Sequence, residues 1–274
     1  MKPMDTKMSG LNKFIETIKR YLNIWVKTSV YSTQAHLATR RASLMYIAGK
    51  FIRFFFFIWF LYLVGGKTKN IAGYSMDQMV TFFLIFNLFD ISGQVLFRGI
   101  YYLRGDIISG ALDFKLAKPL NILFQVLTRQ TDLLDLPLLL IILGLLWWQG
   151  LVIDLNRALL FGVIGMASLM LVIAIHTLIA SIGVLTTEVD NTIMIYRDLS
   201  VMARVPVDIY IGPIRALLTF VVPVAVIMTF PAKVLLGLLS WQVVVLSLLM
   251  SGIFLWVSLR FWKYALTYYS SASS

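Results

Sequence analysis

Five stretches of this 274-residue chain, at about 44–64, 79–97, 133–148, 159–178 and 241–259, are apolar almost without interruption. A helix needs about 20 such residues to cross a bilayer. Hydrocarbon offers the backbone no water, so a crossing segment must satisfy its own N–H and C=O groups, as a helix does. Only 14% of the residues are charged, against roughly 25% in a soluble domain, which leaves too little polar surface to cover a water-soluble globule. The pattern specifies an all-α fold, a polytopic membrane helix bundle. Trp147, Trp148 and Trp241 stand at the ends of these runs, where indole rings suit the membrane–water boundary. Cysteine is absent, which excludes disulfides and thiolate metal sites.

Residues 1–43 are the one polar stretch and are expected to form a cytoplasmic arm. Leu11, Phe14, Ile15, Ile18, Leu22, Trp25 and Val26 recur at helical spacing, with Lys13, Glu16, Lys19, Arg20, Asn23 and Lys27 on the other face. A basic face opposite Trp and Phe suits a helix lying on an anionic leaflet, with membrane lipid as its partner. The arm holds no apolar core of the kind a cleavable signal needs.

The stretch 185–238 admits two arrangements. The part at 209–230 is apolar but interrupted by Pro213, Arg215 and Pro223, with Pro231 just after; the part at 185–203 is helical in period but carries Glu188, Asp190, Arg197 and Asp198. Either the charged helix lies on the cytoplasmic surface and the proline-rich run crosses once, or the charged helix crosses and the proline-rich run dips in and out on the far side. The cost of charge at mid-membrane favours the first; prolines permit a broken re-entrant segment where protein surrounds it.

The chain carries 24 Lys and Arg against 13 Asp and Glu, a net charge of +11. On a soluble protein this would point to nucleic acid. Here the basic residues crowd into particular connections, which reads as topology with no nucleic-acid partner. In the first arrangement only Lys67, Lys69, Arg157 and Lys233 fall opposite the main basic side, and in the second Arg204 and Arg215 join them. Either way the arm, the 98–132 loop and both termini are expected in the cytoplasm.

Signals for chemistry are weak. Gly65-Gly66-Lys67-Thr68 ends like a phosphate-binding loop, but Leu61 stands where the pattern needs glycine. Ile91-Ser92-Gly93-Gln94 echoes an ATPase signature inside an apolar run. His36 and His176 lack the paired spacing of a metal site, and an interior hydrogen bond suits His176. Lys50 and Arg53, one turn apart, suit snorkelling to the headgroups. The quartet Phe54-Phe55-Phe56-Phe57 reads as lipid-facing or packing bulk. Asp90 and Asp135 fall within apolar runs, and intramembrane carboxylates are candidates for a transport path. They would be the working groups of an ion- or proton-coupled carrier or channel, though no inverted repeat of the kind many carriers show is visible. An intramembrane enzyme would need a catalytic pair, and no protease-like sequence flanks either aspartate. No catalytic, cofactor or metal site is therefore expected.

The most informative segment is the loop at 98–131, which mixes Ile, Leu and Tyr with basic residues and suits docking on a partner or on the membrane. Its Gly105-Asp106-Ile107-Ile108-Ser109-Gly110-Ala111-Leu112-Asp113 leading to Leu116-Ala117-Lys118-Pro119-Leu120 resembles the loop after the second span in bacterial ABC-transporter permeases of the type-2 exporter class, most closely their six-span branch. The proline-punctuated block from Val205-Pro206-Val207-Asp208 through Pro223 and Pro231-Ala232 to Gly237, and the ending Tyr268-Tyr269-Ser270-Ser271-Ala272-Ser273-Ser274, are similar to the same branch. The likeness covers nearly the whole chain.

The resemblance implies six spans at about 44–64, 79–97, 133–150, 158–178, 185–204 and 241–259, in a bacterial inner membrane. The loop would couple the chain to separate cytoplasmic ABC ATPase subunits through Gly105, Asp106, Gly110, Leu112, Asp113 and Pro119. The block at 206–237, punctuated by Pro206, Pro213, Pro223 and Pro231, would be a re-entrant gate. A second permease chain, identical or related, would complete the path, and the partner would hydrolyse the ATP. Asp90, Asp135, Arg197 and Asp198 remain candidates to line that path, and the last two would then need a wet or protein-lined setting.

Overall fold

The computed structural model describes residues 10–65, 70–151 and 153–270. Lys67, Thr68 and the closing serines at 271, 273 and 274 lie outside the described residues, as does the start of the arm. Among the described residues the fold is helical, with one isolated bridge between Ile71 and Tyr74. Helix α1 (Gly10–Leu37) precedes α2 (Arg40–Gly65), α3 (Met76–Phe97), the loop helices α4 (Leu103–Ile108), α5 (Ala111–Leu116) and α6 (Ile122–Leu127), then α7 (Leu136–Trp148), α8 (Leu155–Thr186) and α9 (Val189–Val201). Two short helices, α10 (Gly212–Ala216) and α11 (Phe230–Leu235), lead to α12 (Trp241–Thr267).

Among the described residues four helices are long and apolar enough to cross a membrane: α2, α3 with its continuation through Ile108, α8 and α12. Helix α7 is apolar but shorter, and it begins from a 3-10 turn at Leu133–Asp135 with Pro137 in its first turn, a position where the missing N–H costs nothing. The start of α3 is set by a capping box: Ser75 Oγ accepts from the Gln78 amide at 3.3 Å and Gln78 Oε1 accepts from the Ser75 amide at 2.9 Å. Asp154 caps α8 by accepting from the Arg157 amide at 2.7 Å.

Helix α3 is the core of the bundle, buried along most of its length. Helices α8 and α12 pack along one another, with Ala167, Ala174 and Ala180 of α8 and Ser247, Ser251 and Ala265 of α12 all buried. Small residues let two backbones approach closely, which replaces the hydrophobic drive that lipid removes. Helix α2 lies at the flank; only Ser43, Phe54 and Leu61 of it are buried. The phenylalanine quartet is divided accordingly. Phe54 and Phe57 stack on Phe83 at 5.4 and 4.4 Å, while Phe55 and Phe56 face outward.

Two ends of the bundle can be told apart by contacts. At the end holding the 98–132 loop, Arg104 pairs with Asp190 of α9 at 3.1 Å, and Tyr269, beyond α12, lies in electrostatic reach of Asp113. At the opposite end, where α3 begins, Tyr74 donates to Asp208 at 2.8 Å. The segment from Asp190 to Asp208 thus runs from one end of α3 to the other. The proline-rich segment that follows is a pair of arms, Gly212–Val221 and Ala225–Leu235, bent by 82° at the break around Pro223. Both arms contain a π-helical turn, and the second arm is buried from Ala225 to Thr229. Irregular backbone in the second arm is tolerable because protein surrounds it.

The return from α3 into the loop depends on Gly99. A Cβ there would lie 2.2 Å from the Val126 carbonyl and 2.6 Å from that of Leu127. These are backbone atoms and cannot swing aside. Gly99→Ala should cost about 1–3 kcal/mol through overpacking, seen as a lower thermal midpoint of the purified chain in detergent. Gly105→Ala, where nothing lies within 4 Å, should leave the midpoint unchanged.

Candidate functional site

The loop is a built unit. Leu103 and Leu112 are fully buried, with Ile107 and Val126 beside them in the same core. Gly110 takes a left-handed φ of 71° between α4 and α5, a conformation glycine adopts at little cost. At the centre Asp106, 2% exposed, accepts from both Lys115 and Arg129. Burial pushes the Lys115 ammonium below its ordinary value, against the opposing pull of Asp106. Gln125 donates to the carbonyls of Lys115 and Leu120 at 3.0 and 3.2 Å, tying α6 to the turn that carries Pro119.

This sorts the residues that the resemblance singled out. Asp106 and Leu112 are interior and hold the loop's shape, Asp113 and Gly110 are half-buried, and Gly105 and Pro119 are exposed. The large side chains that project from the unit are Ile108, Phe114 and Leu116, at 60%, 74% and 43% exposure. The sequence carried a signal for them: they are apolar residues interleaved with buried ones in six-residue helices. Without the register of those helices, inside could not be told from outside.

Helix α1 lies against this loop. Tyr21 receives a hydrogen bond from the Asn121 amide at 3.1 Å and its ring meets Phe124 edge-on at 4.7 Å. Ser32 donates to the Thr131 carbonyl at 3.1 Å, and His36 touches Gln130. On another side of α1, Phe14, Ile15, Ile18, Leu22 and Val26 are exposed, as expected of a helix resting on lipid.

A second cluster fills a cleft between α2, α3 and α9. Asp132 accepts from Tyr46 at 2.7 Å and from Arg98 at 2.6 Å, with Lys50 at 3.4 Å; Lys50 also pairs with the buried Asp135. Lys50 therefore points into the protein rather than out to the headgroups. Asp90 accepts from Gln94 at 2.8 Å, and Arg197 donates to Tyr101 at 2.8 Å while feeling the charge of Asp90. Asp90 and Arg197 both line the cleft. Asp135 stands behind it, and Asp198 is exposed and lies outside it. Arg53 and Arg204, which the sequence reading did not single out as path residues, do line it. His176 borders it too, with Nδ1 donating to the Val172 carbonyl at 2.8 Å. The segment Ile91-Ser92-Gly93-Gln94 is plain helix within α3.

At the opposite end Asp208 accepts from Tyr74 and, at 2.6 Å, from Lys233 of α11. Burial raises the Asp208 carboxyl, but the hydrogen bonds from Lys233 and Tyr74 outweigh it and hold the group below the usual carboxylate range. This ties the second arm of the bent pair to the turn before α3. The four prolines are spread over the segment: Pro206 is buried ahead of a 3-10 turn, Pro213 is exposed in the first turn of α10, Pro223 is buried at the break and Pro231 is buried in the first turn of α11.

Among the described residues no group of His, Asp or Glu is placed to hold a metal ion. Comparison with known proteins matches the family model described as ABC-2 family transporter protein, over residues 48–273. No curated protein and no solved structure matches the chain.

Two outcomes follow from the ion pairs. Asp135→Ala leaves Lys50 buried without its main partner and should destabilise the chain by about 3–5 kcal/mol. The joint change Lys50→Met with Asp135→Leu should recover most of that loss, both read by chemical denaturation in detergent. The carboxyl of Asp208 titrates lower in the folded chain than its reference value of 3.8. Its stabilisation is thus complete above about pH 4 and is lost as pH falls through the folded value. The gap in thermal midpoint between the native chain and Asp208→Asn should be widest near neutrality and close on acidification.

Proposed function

The chain belongs to the ABC-2 transporter family, and on that premise we propose that it is the membrane half of an ATP-driven exporter whose ATPase docks on the 98–131 loop. Its membrane-spanning helices and its family make it a multi-pass permease component of an ABC transporter. The finer reading adds that separate ATPase subunits bind the loop from the cytoplasm and that a second permease chain closes the path. Their nucleotide cycle would bias a bundle with two arrangements, which is how a ligand or partner drives a conformational change.

The observation that carries this reading is the loop itself: a compact unit clamped on Asp106 that presents Ile108, Phe114 and Leu116 outward. A rigid unit can transmit a push, and exposed large apolar side chains are what a partner's pocket would grip. The course of 189–208 between the two ends of α3 supports reading it as the fifth crossing, with the bent pair entering from the far side. The basic connections gathered at the loop end support placing that end, and both termini, in the cytoplasm of an inner-membrane protein. A carrier working through Asp90 and Asp135 finds less support, because Asp135 is engaged by Lys50 and Asp90 by Gln94.

Co-expression with a candidate ABC ATPase subunit provides the test. Phe114→Asp should reduce recovery of the ATPase with the tagged permease by about tenfold or more, a loss of roughly 1.4 kcal/mol or above. Leu159→Asn, on an exposed stretch of α8, should leave recovery intact. Undiminished recovery and ATPase stimulation with Phe114→Asp would refute the docking assignment.

A further inference from the structure

We propose that the cleft between α2, α3 and α9 binds the anionic head of an amphiphile, a phosphate or carboxylate, through Arg53, Arg197 and Arg204, with the apolar body against Phe57 and Phe86. The proposal rests on the permease reading only in making the bound molecule its cargo or a resident lipid.

The charge balance of the cleft is uneven. Lys50 and Arg98 are answered by Asp135 and Asp132, and Arg197 by Tyr101 and the field of Asp90. Among the described residues no salt bridge joins Arg53 or Arg204 to a carboxylate. Arg53 stands 13 residues into α2, about 20 Å along it at 1.5 Å per residue, midway along a 26-residue helix. Arg53, Asp90 and Arg197 all act electrostatically on Arg204, the two arginines repelling it. Cations at such depth are costly and mark a substrate pathway when they face a cavity.

The walls supply the other half of the chemistry. The Arg204 guanidinium lies over the rings of Phe57 and Phe86, 5.8 and 5.7 Å from their centroids. These faces keep it oriented while its N–H groups stay available, since guanidinium can stack and donate at once. Phe54, Phe83 and Phe89 continue the apolar lining inward. The recess beside Arg204, Phe57 and Phe86 is itself narrow, about 50 Å³, and opens past Arg53, Arg98 and Arg197 into a groove of about 510 Å³; it is the groove that falls within the range of roughly 300–1,000 Å³ that small-molecule sites occupy. An anion with an apolar body satisfies both halves, whereas a cation or a neutral sugar meets the wrong charge or the wrong wall.

The full chain, purified in dodecyl maltoside, is titrated with dodecyl phosphate and its intrinsic tryptophan fluorescence followed. Saturable binding is expected, weakened about tenfold by Arg204→Gln and further by adding Arg53→Gln. Arg204→Lys should retain most of the affinity, and Arg260→Gln, on an exposed face of α12, all of it. Inorganic phosphate should not displace the probe. Displacement by phosphatidylglycerol would identify the bilayer's own lipids as a source of the ligand; its failure would point to a single-chain cargo. Equal binding by the native chain and the double variant, with both eluting as the same single species, would overturn the site. Displacement by inorganic phosphate alone at comparable concentration would overturn its amphiphilic character. No ATPase enters the measurement, so loss of ATPase recovery in the loop variants leaves its outcome untouched.

Discussion

A buried carboxylate with more than one cationic partner is the joint on which this architecture turns, and it occurs twice. Asp132 gathers Tyr46 and Lys50 of α2 and Arg98 at the end of α3 around the point where the chain re-enters the bundle. Asp106 does the same for the loop with Lys115 and Arg129. Asp132 draws together segments far apart in sequence, and Asp106 the successive helices of one loop. In a low-dielectric interior an unpartnered ion is costly enough that these groups must stay together. Helix α2 makes few other buried contacts with the body, so the Asp132 joint and the Phe83 stack account for much of its anchorage. The loop can behave as one piece because the Asp106 ion pairs and the buried Leu103, Ile107 and Leu112 hold its centre, while Ile108, Phe114 and Leu116 stand outside it.

The bundle was legible from the sequence because burial in lipid imposes a crude and lengthy signal: runs of apolar residues of fixed minimum length. Helices α2, α3, α8 and α12 all contain the runs that announce them and extend beyond them at one end or both. The cost of charge at membrane depth, taken alone, argued for laying the segment around Arg197 on the surface. On the proposed reading of that segment as a crossing, the cost is set by neighbours that no local window contains: Tyr101, 96 positions away, accepts a hydrogen bond from Arg197.

The candidate site was legible only in outline. Asp90 and Arg197 stood out because they interrupt apolar or periodic stretches, and both face the cleft. Arg53 and Arg204 also interrupt such stretches, but one reads as a snorkelling residue and the other as a helix end. Their convergence depends on how α2 and α9 are rotated about α3, which side-chain packing decides. Within the loop the motif marked the right segment, yet its most recognisable members include those turned inward. Asp106 and Leu112 hold the shape while Ile108 and Phe114 meet whatever lies outside. A recurring sequence pattern can report scaffold as readily as contact surface.

Helix α1 has its Tyr21 and Ser32 fastened to the loop and its Phe14, Ile18 and Leu22 turned outward. On the proposed reading, those attachments would make it an oar with its blade in the leaflet. A stroke of the loop would then drag that blade sideways through headgroups and upper acyl chains, so that the lateral tension and fluidity of the bilayer would become a mechanical load on the proposed cycle.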